Sequence, residues 1–344
     1  MNRSGIRLCF SLCTLTALMI WAPLAGAVED QAVDDAVVKA LEFLASQQNR
    51  NGSWSVTSAG ESTATTSLAV MAFLAAGHLP SEGPYGPAID RAIDYVLAHQ
   101  QRNGLIVDKS THGPMYDHGI STLMLAEVAG MTKKENSVRV RQVLENGIRL
   151  ILKAQQVRKA RRESGGWRYQ PGSEDSDLSV TGWQLLALRA AKDIGCDVPI
   201  ERIDLAVEYV KKCANPRGFG YQPGNGSTAT LTAAGILCLQ VCDHFEDREV
   251  VAGMEFLQRQ PLRYDQSWFF YGAYYQSVSA YKYGGTDWDR TKMLLFPELL
   301  SNQGPQGGWI ARNGSEQPHG TVYSTSLAVL ALTVEYGYLP IYQR

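Results

Sequence analysis

One unit is written six times along this chain: an amphipathic helical segment, a glycine-rich turn ending on a large apolar residue, and a second, wholly apolar segment. The turns end at Trp54, Ile106, Trp167, Phe219, Trp268 and Trp309, between 41 and 61 residues apart. Segments such as "ALEFLASQQNRNGSW" lead each turn, with Leu41, Phe43 and Leu44 beside Lys39 and Glu42, which is the stripe of a helix with one wet face. Segments such as "SLAVMAFLAAG" and "TSLAVLALTVEYG" follow, apolar on every side and therefore buried on every side. A unit of this size cannot bury its own apolar face, so neighbours must stack to share a core. Two helix classes, outer amphipathic and inner apolar, predict two concentric rings: an all-α barrel of six helical hairpins, (α/α)6, spanning residues 28–344 as one domain. No strand signal is comparably strong.

The first 27 residues read as a secretory signal. Arg3 and Arg7 precede an apolar run from Leu8 to Trp21, and Ala25-Gly26-Ala27 fits a small-x-small cleavage site. The run is too short for a stable span, and no later one reaches the roughly 20 apolar residues that a membrane crossing needs. The expectation is an exported protein, periplasmic or extracellular. Lys and Arg total 32 against 34 Asp and Glu, and no basic face stands out, which argues against a nucleic-acid partner. The run "RKARR" at 158–162 reads as a solvated loop. Four cysteines follow the signal, and export permits disulfides. Cys196 and Cys242 both end inner helices on the same side of the ring, so a Cys196–Cys242 bridge is expected. The histidines are scattered away from metal-ligand spacing, so neither a metal nor a cofactor is expected.

The tetrapeptide Tyr-Gln-Pro-Gly occurs at 169–172 and again at 221–224, between turn and inner helix in units three and four. Pro-Gly turns the chain, here across the barrel mouth where all six inner helices begin. Six N-termini with orphan N–H groups converge there and favour acidic side chains or an anionic group. Glu174, Asp175 and Asp177 follow the first copy only. Asp177 or Ser179 reads as the N-cap of the inner helix, with Asp175 and Glu174 as a polar ligand rim at the mouth. Elsewhere Thr65 and Thr66, Ser227 and Thr228, or Ser324 and Thr325 are the polar caps. Tyr116, Asp117 and His118 open the second inner helix; His118 beside Asp117 suits a general base or a helix cap. Trp268, Tyr271 and Tyr275 share one helical stripe, fitted to an aromatic cavity wall or to core packing. With Tyr169, Trp183 and Tyr221 they complete the candidate ligand-binding set, and Asp175, Asp177 and His118 are the catalytic candidates.

The Gln…Gly-x-Trp turns (Gln47, Gln48, Gly52, Trp54; Gln155, Gln156, Gly166, Trp167; Gln303, Gly308, Trp309) resemble the repeats of squalene/terpene cyclases and protein prenyltransferase β subunits over essentially all of 30–344. "MYDHGISTLMLAEVAGM" and "VYSTSLAVLALTVEYGYLPIY" look closer still to an exported bacterial branch with this repeat. The resemblance implies an α/α toroid around a central cavity. It does not carry over the chemistry. Against the cyclase Asp-x-Asp-Asp-Thr motif, "DSDLSVT" puts Asp177 on the first Asp but Ser179 and Val180 on the other two. The prenyltransferase zinc set, Asp-x-Cys with a later His, is not visible either. Three readings stand. The first is a toroid that binds a small hydrophobic, glycan or protein ligand at a polar, aromatic mouth. The second is a divergent cyclase- or prenyltransferase-type enzyme, which a closed apolar cavity would favour. The third is a glycan-active envelope protein, for which Arg168 beside Asp175 is the one suggestive pair.

Overall fold

Val33, Ala36, Val37, Ala40, Leu41 and Leu44 recur every three or four residues, so the first helix, α1 (Asp30–Ser46), buries one face and wets the other. The same physics forms the rest of the outer ring: α3 (Gly86–Ala98), α5 (Lys134–Gln155), α7 (Ile200–Lys212), α9 (Arg248–Arg259) and α11 (Gly285–Leu300). The all-apolar segments form the inner ring: α2 (Thr63–Ala75), α4 (Pro114–Val128), α6 (Leu178–Asp193), α8 (Ala229–Gln240), α10 (Phe269–Tyr283) and α12 (Gly320–Leu332). Almost every residue of α2 and of α12 is buried. The computed structural model describes residues 30–110, 112–312 and 314–343. The expected signal segment lies outside them. Among the described residues no helix is long and apolar enough to cross a membrane.

Each inner helix packs on the next, and α12 packs back onto α2, so the ring is closed. Each outer helix leans mainly on the inner helix before it, and α1 accordingly leans on α12 across the seam. Two short ladders interrupt the all-helical expectation. β1 (Trp54–Val56) pairs antiparallel with β2 (Gly60–Ser62), and β3 (Ala214–Asn215) with β4 (Gly218–Phe219). They are two or three residues long, too short to leave a period-2 signal, and they carry the chain from turn to mouth.

The repeated glutamine is the staple between units. Gln48 Nε2 donates to the Gly52 carbonyl of its own turn (3.0 Å) and to Ala88 of α3 (2.8 Å). Gln100 does the same to Gly104 and to Val143 of α5, and Gln155 to Gly165 and to Arg202 of α7. Gln303 closes the ring, reaching Gly307 (2.9 Å) and Ala36 of α1 (2.8 Å). The turn tryptophans lock the hairpins from inside, with the Nε1–H of Trp54, Trp167 and Trp309 donating to Leu44, Ile151 and Leu299 carbonyls. Replacing Gln303 by Ala leaves two carbonyls short of a donor. About 1–3 kcal/mol of stability should be lost, measured by urea denaturation. Gln47→Ala, at an exposed position one residue from a staple, should stay within about 0.5 kcal/mol.

The expected Cys196–Cys242 bridge is absent: Cys196, Cys213, Cys238 and Cys242 are all free thiols. Arg141 of α5 donates to the carbonyls of Ile194 and Gly195 and holds the Cys196 turn toward its own neighbour. Cys242 lies instead within reach of the Arg189 charge. In the basic loop Arg158, Arg161 and Arg162 are exposed as expected. Lys159 is not: its Nζ donates to Gly166 O (2.6 Å) and Ser176 Oγ (3.1 Å), pinning the loop, and burial pulls its pKa down to about 8.

Candidate functional site

All six inner helices begin at the same end of the ring, and the space between their first turns is a cavity of about 530 Å³. Every unit contributes to its wall. From α2 and the ladder before it come Val56, Ser62, Ala64, Thr65 and Leu68; from α4 and its approach, His112, Tyr116, Asp117 and Ile120. Units three and four add Tyr169, Ser179 and Trp183, then Tyr221, Thr228, Thr230 and Leu231. Units five and six add Ser267, Trp268 and Tyr271, then His319 and Tyr323. Neither Lys nor Arg is among them.

The N-termini that surround this cavity are capped mostly from the next unit round. Asp117 sends Oδ1 back to Ser62 Oγ, Thr63 Oγ1 and Ala64 N, at 3.2, 3.4 and 3.3 Å. The Tyr169 carbonyl accepts from Met115 N at the start of α4 (3.1 Å), and the Tyr221 carbonyl from Leu178 N at the start of α6 (2.9 Å). The two copies of Tyr-Gln-Pro-Gly therefore do one job in consecutive units. Their side chains meet as well: the two tyrosine hydroxyls are hydrogen-bonded, and Arg168 lies over both rings, 4.8 and 5.6 Å from their centroids. Glu316 reaches from unit six to α10, accepting from Phe270 N (3.2 Å) and Tyr271 N (3.0 Å).

Asp177 is the N-cap of α6, with Oδ1 accepting from Val180 N at 2.8 Å and the side chain wholly buried. It does not line the cavity. Asp175 pairs with Arg168 (3.0 Å) on the half-exposed mouth loop, and Glu174 is exposed. Neither reaches the cavity wall, so the ligand rim expected of them is not formed; Asp175 instead holds Arg168 against the two tyrosines. Ser62 and Thr228 are true caps of α2 and α8. Thr66 and Thr325 are not caps. Thr66, Thr181, Thr232 and Thr325 each accept, through Oγ1, the backbone N–H of the turn residue: Trp54, Trp167, Phe219 or Trp309.

That recurring bond decides His118. In unit two its Nδ1 takes the place of the threonine hydroxyl, accepting from Ile106 N at 3.0 Å, while Nε2 meets the Gly147 carbonyl at 3.1 Å. The ring is fully buried, and burial pulls its pKa down to about 4. Both nitrogens serve the scaffold, and His118 is not a base in the cavity. Tyr275 is also behind the wall, packed against Tyr271 at 4.8 Å. Tyr116, Asp117, Tyr169, Trp183, Tyr221, Trp268 and Tyr271 do share the cavity. Trp183 stacks on Tyr274 (5.6 Å) and Tyr271 bonds Ser179 Oγ (2.8 Å), so these rings are held rigidly.

Sequence reasoning missed His112, His319, Tyr323 and Glu316. The imidazoles of His112 and His319 stack at 4.9 Å, and His319 stacks on Tyr323 at 4.7 Å. Burial lowers both histidine pKa values, His319 to about 4 with the neighbouring His112 adding to the effect. Only the absence of a Ser/Thr/Asp cap before α12 could have hinted that its start is unusual.

Burial also pushes three carboxyls up: Asp117 to about 6, Asp177 to about 7 and Glu316 to about 7, each against the pull of the N–H groups it caps. Glu127, deep in α4, is pushed to about 8 by burial. A carboxyl raised in the folded state contributes stability that is complete below its ordinary value and lost as pH rises through the folded one. His118 and His319 act oppositely, losing stability only as pH falls below 6.5 toward 4. Between pH 6.5 and about 8 the raised carboxyls Asp177, Glu316 and Glu127 dominate, before Lys159, pulled down to about 8, begins to work the other way, so the melting temperature should fall across that window. Asp177→Asn keeps the cap, since Asn caps as well as Asp, and should flatten the fall. An unchanged slope in thermal melts of the variant would remove Asp177 from the account.

A model of the prenyltransferase alpha-alpha toroid domain matches residues 2–144 and 118–268 of the chain. No curated protein matches it in sequence. Among solved structures, a glycosidase variant in complex with glucose is 11% identical, over 91% of this chain and 99% of the other, with a TM-score of 0.63. The alpha-1,6-mannanase of Salegentibacter sp. HEL1_6 is 9% identical over 89% and 99%, with a TM-score of 0.65. A variant of the type II terpene cyclase MstE from Scytonema, in complex with geranylgeranyl dihydroxybenzoate, is 13% identical over 90% and 99%, with a TM-score of 0.60. At these identities the likeness is one of fold.

Proposed function

The chain belongs to the prenyltransferase alpha-alpha toroid family, and from that ring and the chemistry of its axial cavity we propose that the protein binds a carbohydrate of one or two rings there. The observation that carries this is the wall itself. Aromatic rings and the apolar side chains of Val56, Ala64, Leu68, Ile120 and Leu231 make most of its surface, and hydroxyls, imidazoles and one carboxyl are set among them. A sugar has the same double character, apolar C–H faces that stack on rings and a rim of hydroxyls that hydrogen-bond. A volume of 530 Å³ lies within the roughly 300–1,000 Å³ of small-molecule sites. That the fold holds sugars elsewhere, as in the glucose-bound glycosidase, supports the reading.

The isoprenoid alternative fits less well. A prenyl diphosphate needs cationic partners, and the wall has no Lys or Arg. Asp177, which falls on the first Asp of the cyclase motif, is spent on capping its helix, and Ser179 and Val180 stand where the motif's other two carboxyls would be. Glycoside hydrolysis usually takes two carboxyls flanking the bond, and Asp117 is the one that lines the cavity. Binding is therefore the core of the proposal. Export by the segment at 1–27 is part of it, and N-terminal sequencing of the protein from cell fractions tests that part.

Mass spectrometry of whatever co-purifies, followed by calorimetric titration with disaccharides and with geranylgeraniol, tests the rest. Disaccharides should quench the fluorescence of Trp183 and Trp268, and Trp268→Ala should weaken them about tenfold or more, within the roughly 1–3 kcal/mol that loss of one aromatic platform costs. Binding of the prenyl alcohol with no response to any sugar would overturn the proposal in favour of the isoprenoid reading.

A further inference from the structure

Among the described residues, no Lys or Arg lines the cavity beside its one carboxyl. Asp117 is 3% exposed, and the three partners of its Oδ1 are all neutral: two hydroxyls and a backbone N–H. Arg168, on the mouth loop, is committed to Asp175 at 3.0 Å and lies over the rings of Tyr169 and Tyr221. Two further carboxyls stand directly behind the wall, both pushed up to about 7 by burial and so only partly charged at pH 7, with Asp177 also 4.0 Å from Arg168 Nε. Glu316 bonds the backbone of Tyr271 and lies 3.5 Å from the Tyr323 hydroxyl, and Asp177 caps the helix that carries Ser179 and Trp183. The imidazoles of His112 and His319 are kept neutral by burial, so they add no positive charge. The rest of the wall is aromatic faces, whose negative quadrupole attracts cations.

Resting on the carbohydrate reading above, we infer that the cavity selects a sugar bearing a free, protonated amine, with the ammonium group held between Asp117 and the surrounding aromatic faces. A neutral sugar would satisfy the hydroxyls and rings but leave the carboxyl without a counter-charge. An N-acetylated sugar would bring extra bulk and the same lack. An ammonium supplies the charge and three donors, and in a water-poor pocket it interacts with the rings more strongly than it would at an open surface.

The test uses three disaccharides of one backbone: β-1,4-linked glucosamine disaccharide, its N,N′-diacetylated twin, and cellobiose. In calorimetric titrations of the whole protein at pH 7, the amine should bind at least about tenfold tighter than either twin. Choline should displace it, while 3,3-dimethylbutan-1-ol, the same shape without the charge, should not. Asp117→Asn should bring the amine-to-neutral ratio down to about one, with circular dichroism confirming the fold. If that variant does not fold, the choline competition on the native protein decides. Equal affinities, or a preference for the acetylated twin, would overturn the amine while leaving the carbohydrate reading in place. Binding of none of the three would overturn both.

Discussion

A chain lacking residues 323–342 is expected to lose its cooperative thermal transition altogether. The deletion removes most of α12, which touches α2, α10 and α1 and so closes both rings. Leu327, Val329, Leu330 and Leu332 are all fully or almost fully buried. At roughly 1.5–3 kcal/mol for each such side chain, their loss alone rivals the roughly 5–15 kcal/mol of net stability that a folded domain has. The apolar faces of α2 and α10 would also open to water. An open stack of repeats behaves differently, since its end unit can be removed at the cost of one interface. Circular dichroism on heating separates the two cases. A truncated protein that still melts cooperatively would mean that the ring does not depend on its seam.

Gly165→Ala should be nearly as damaging. Gly165 has φ +100°, and a Cβ there would sit 2.1 Å from the Leu205 carbonyl oxygen of α7. The turn glycine of unit three is pressed against the backbone of the next outer helix, and backbone cannot swing aside as a side chain can. Gly224 supplies the control, with φ +87° and nothing within 4 Å of the added carbon. Gly224→Ala carries only the left-handed strain, about 1–2 kcal/mol. Gly165→Ala adds the overlap, and the total should exceed about 4 kcal/mol, the range reserved for a few named mechanisms such as overpacking. Urea denaturation of the pair gives the difference directly. Similar losses in the two variants would show that the turn moves freely from α7.

Much of the architecture was readable before any coordinates. Six copies of one unit, two kinds of helix and glycine at five of the six turns leave little besides a double ring, because each apolar inner helix must find neighbours on all sides. The common mouth followed from alternation alone. So did the aromatic character of the cavity: Tyr116, Tyr169, Trp183, Tyr221, Trp268 and Tyr271 are on its wall. Asp177 as a cap was legible too, because a local cap needs only the three residues after it.

What escaped was everything that runs between units. Asp117 caps α2 across 53 residues of chain and Glu316 caps α10 across 46, and no local pattern marks a carboxyl whose target lies in another repeat. His118 looked like chemistry because it stands beside an aspartate. Its role as a substitute for threonine shows only when the Ile106 N–H is seen pointing at it, as the Trp54 N–H points at Thr66. Glu174 and Asp175 drew attention as an acidic cluster, yet which side of a loop faces a cavity depends on how Arg168 and the two tyrosines pack beneath it. The cysteine pairing failed for the same reason: sharing one end of the ring does not set the direction in which a side chain leaves it. The repeat in the sequence determined the ring and where its mouth would be, since periodicity and burial are properties of each unit. The tertiary structure decided which side chains enter the cavity and what charge meets a ligand there, because those depend on contacts between units that the chain brings together only on closing.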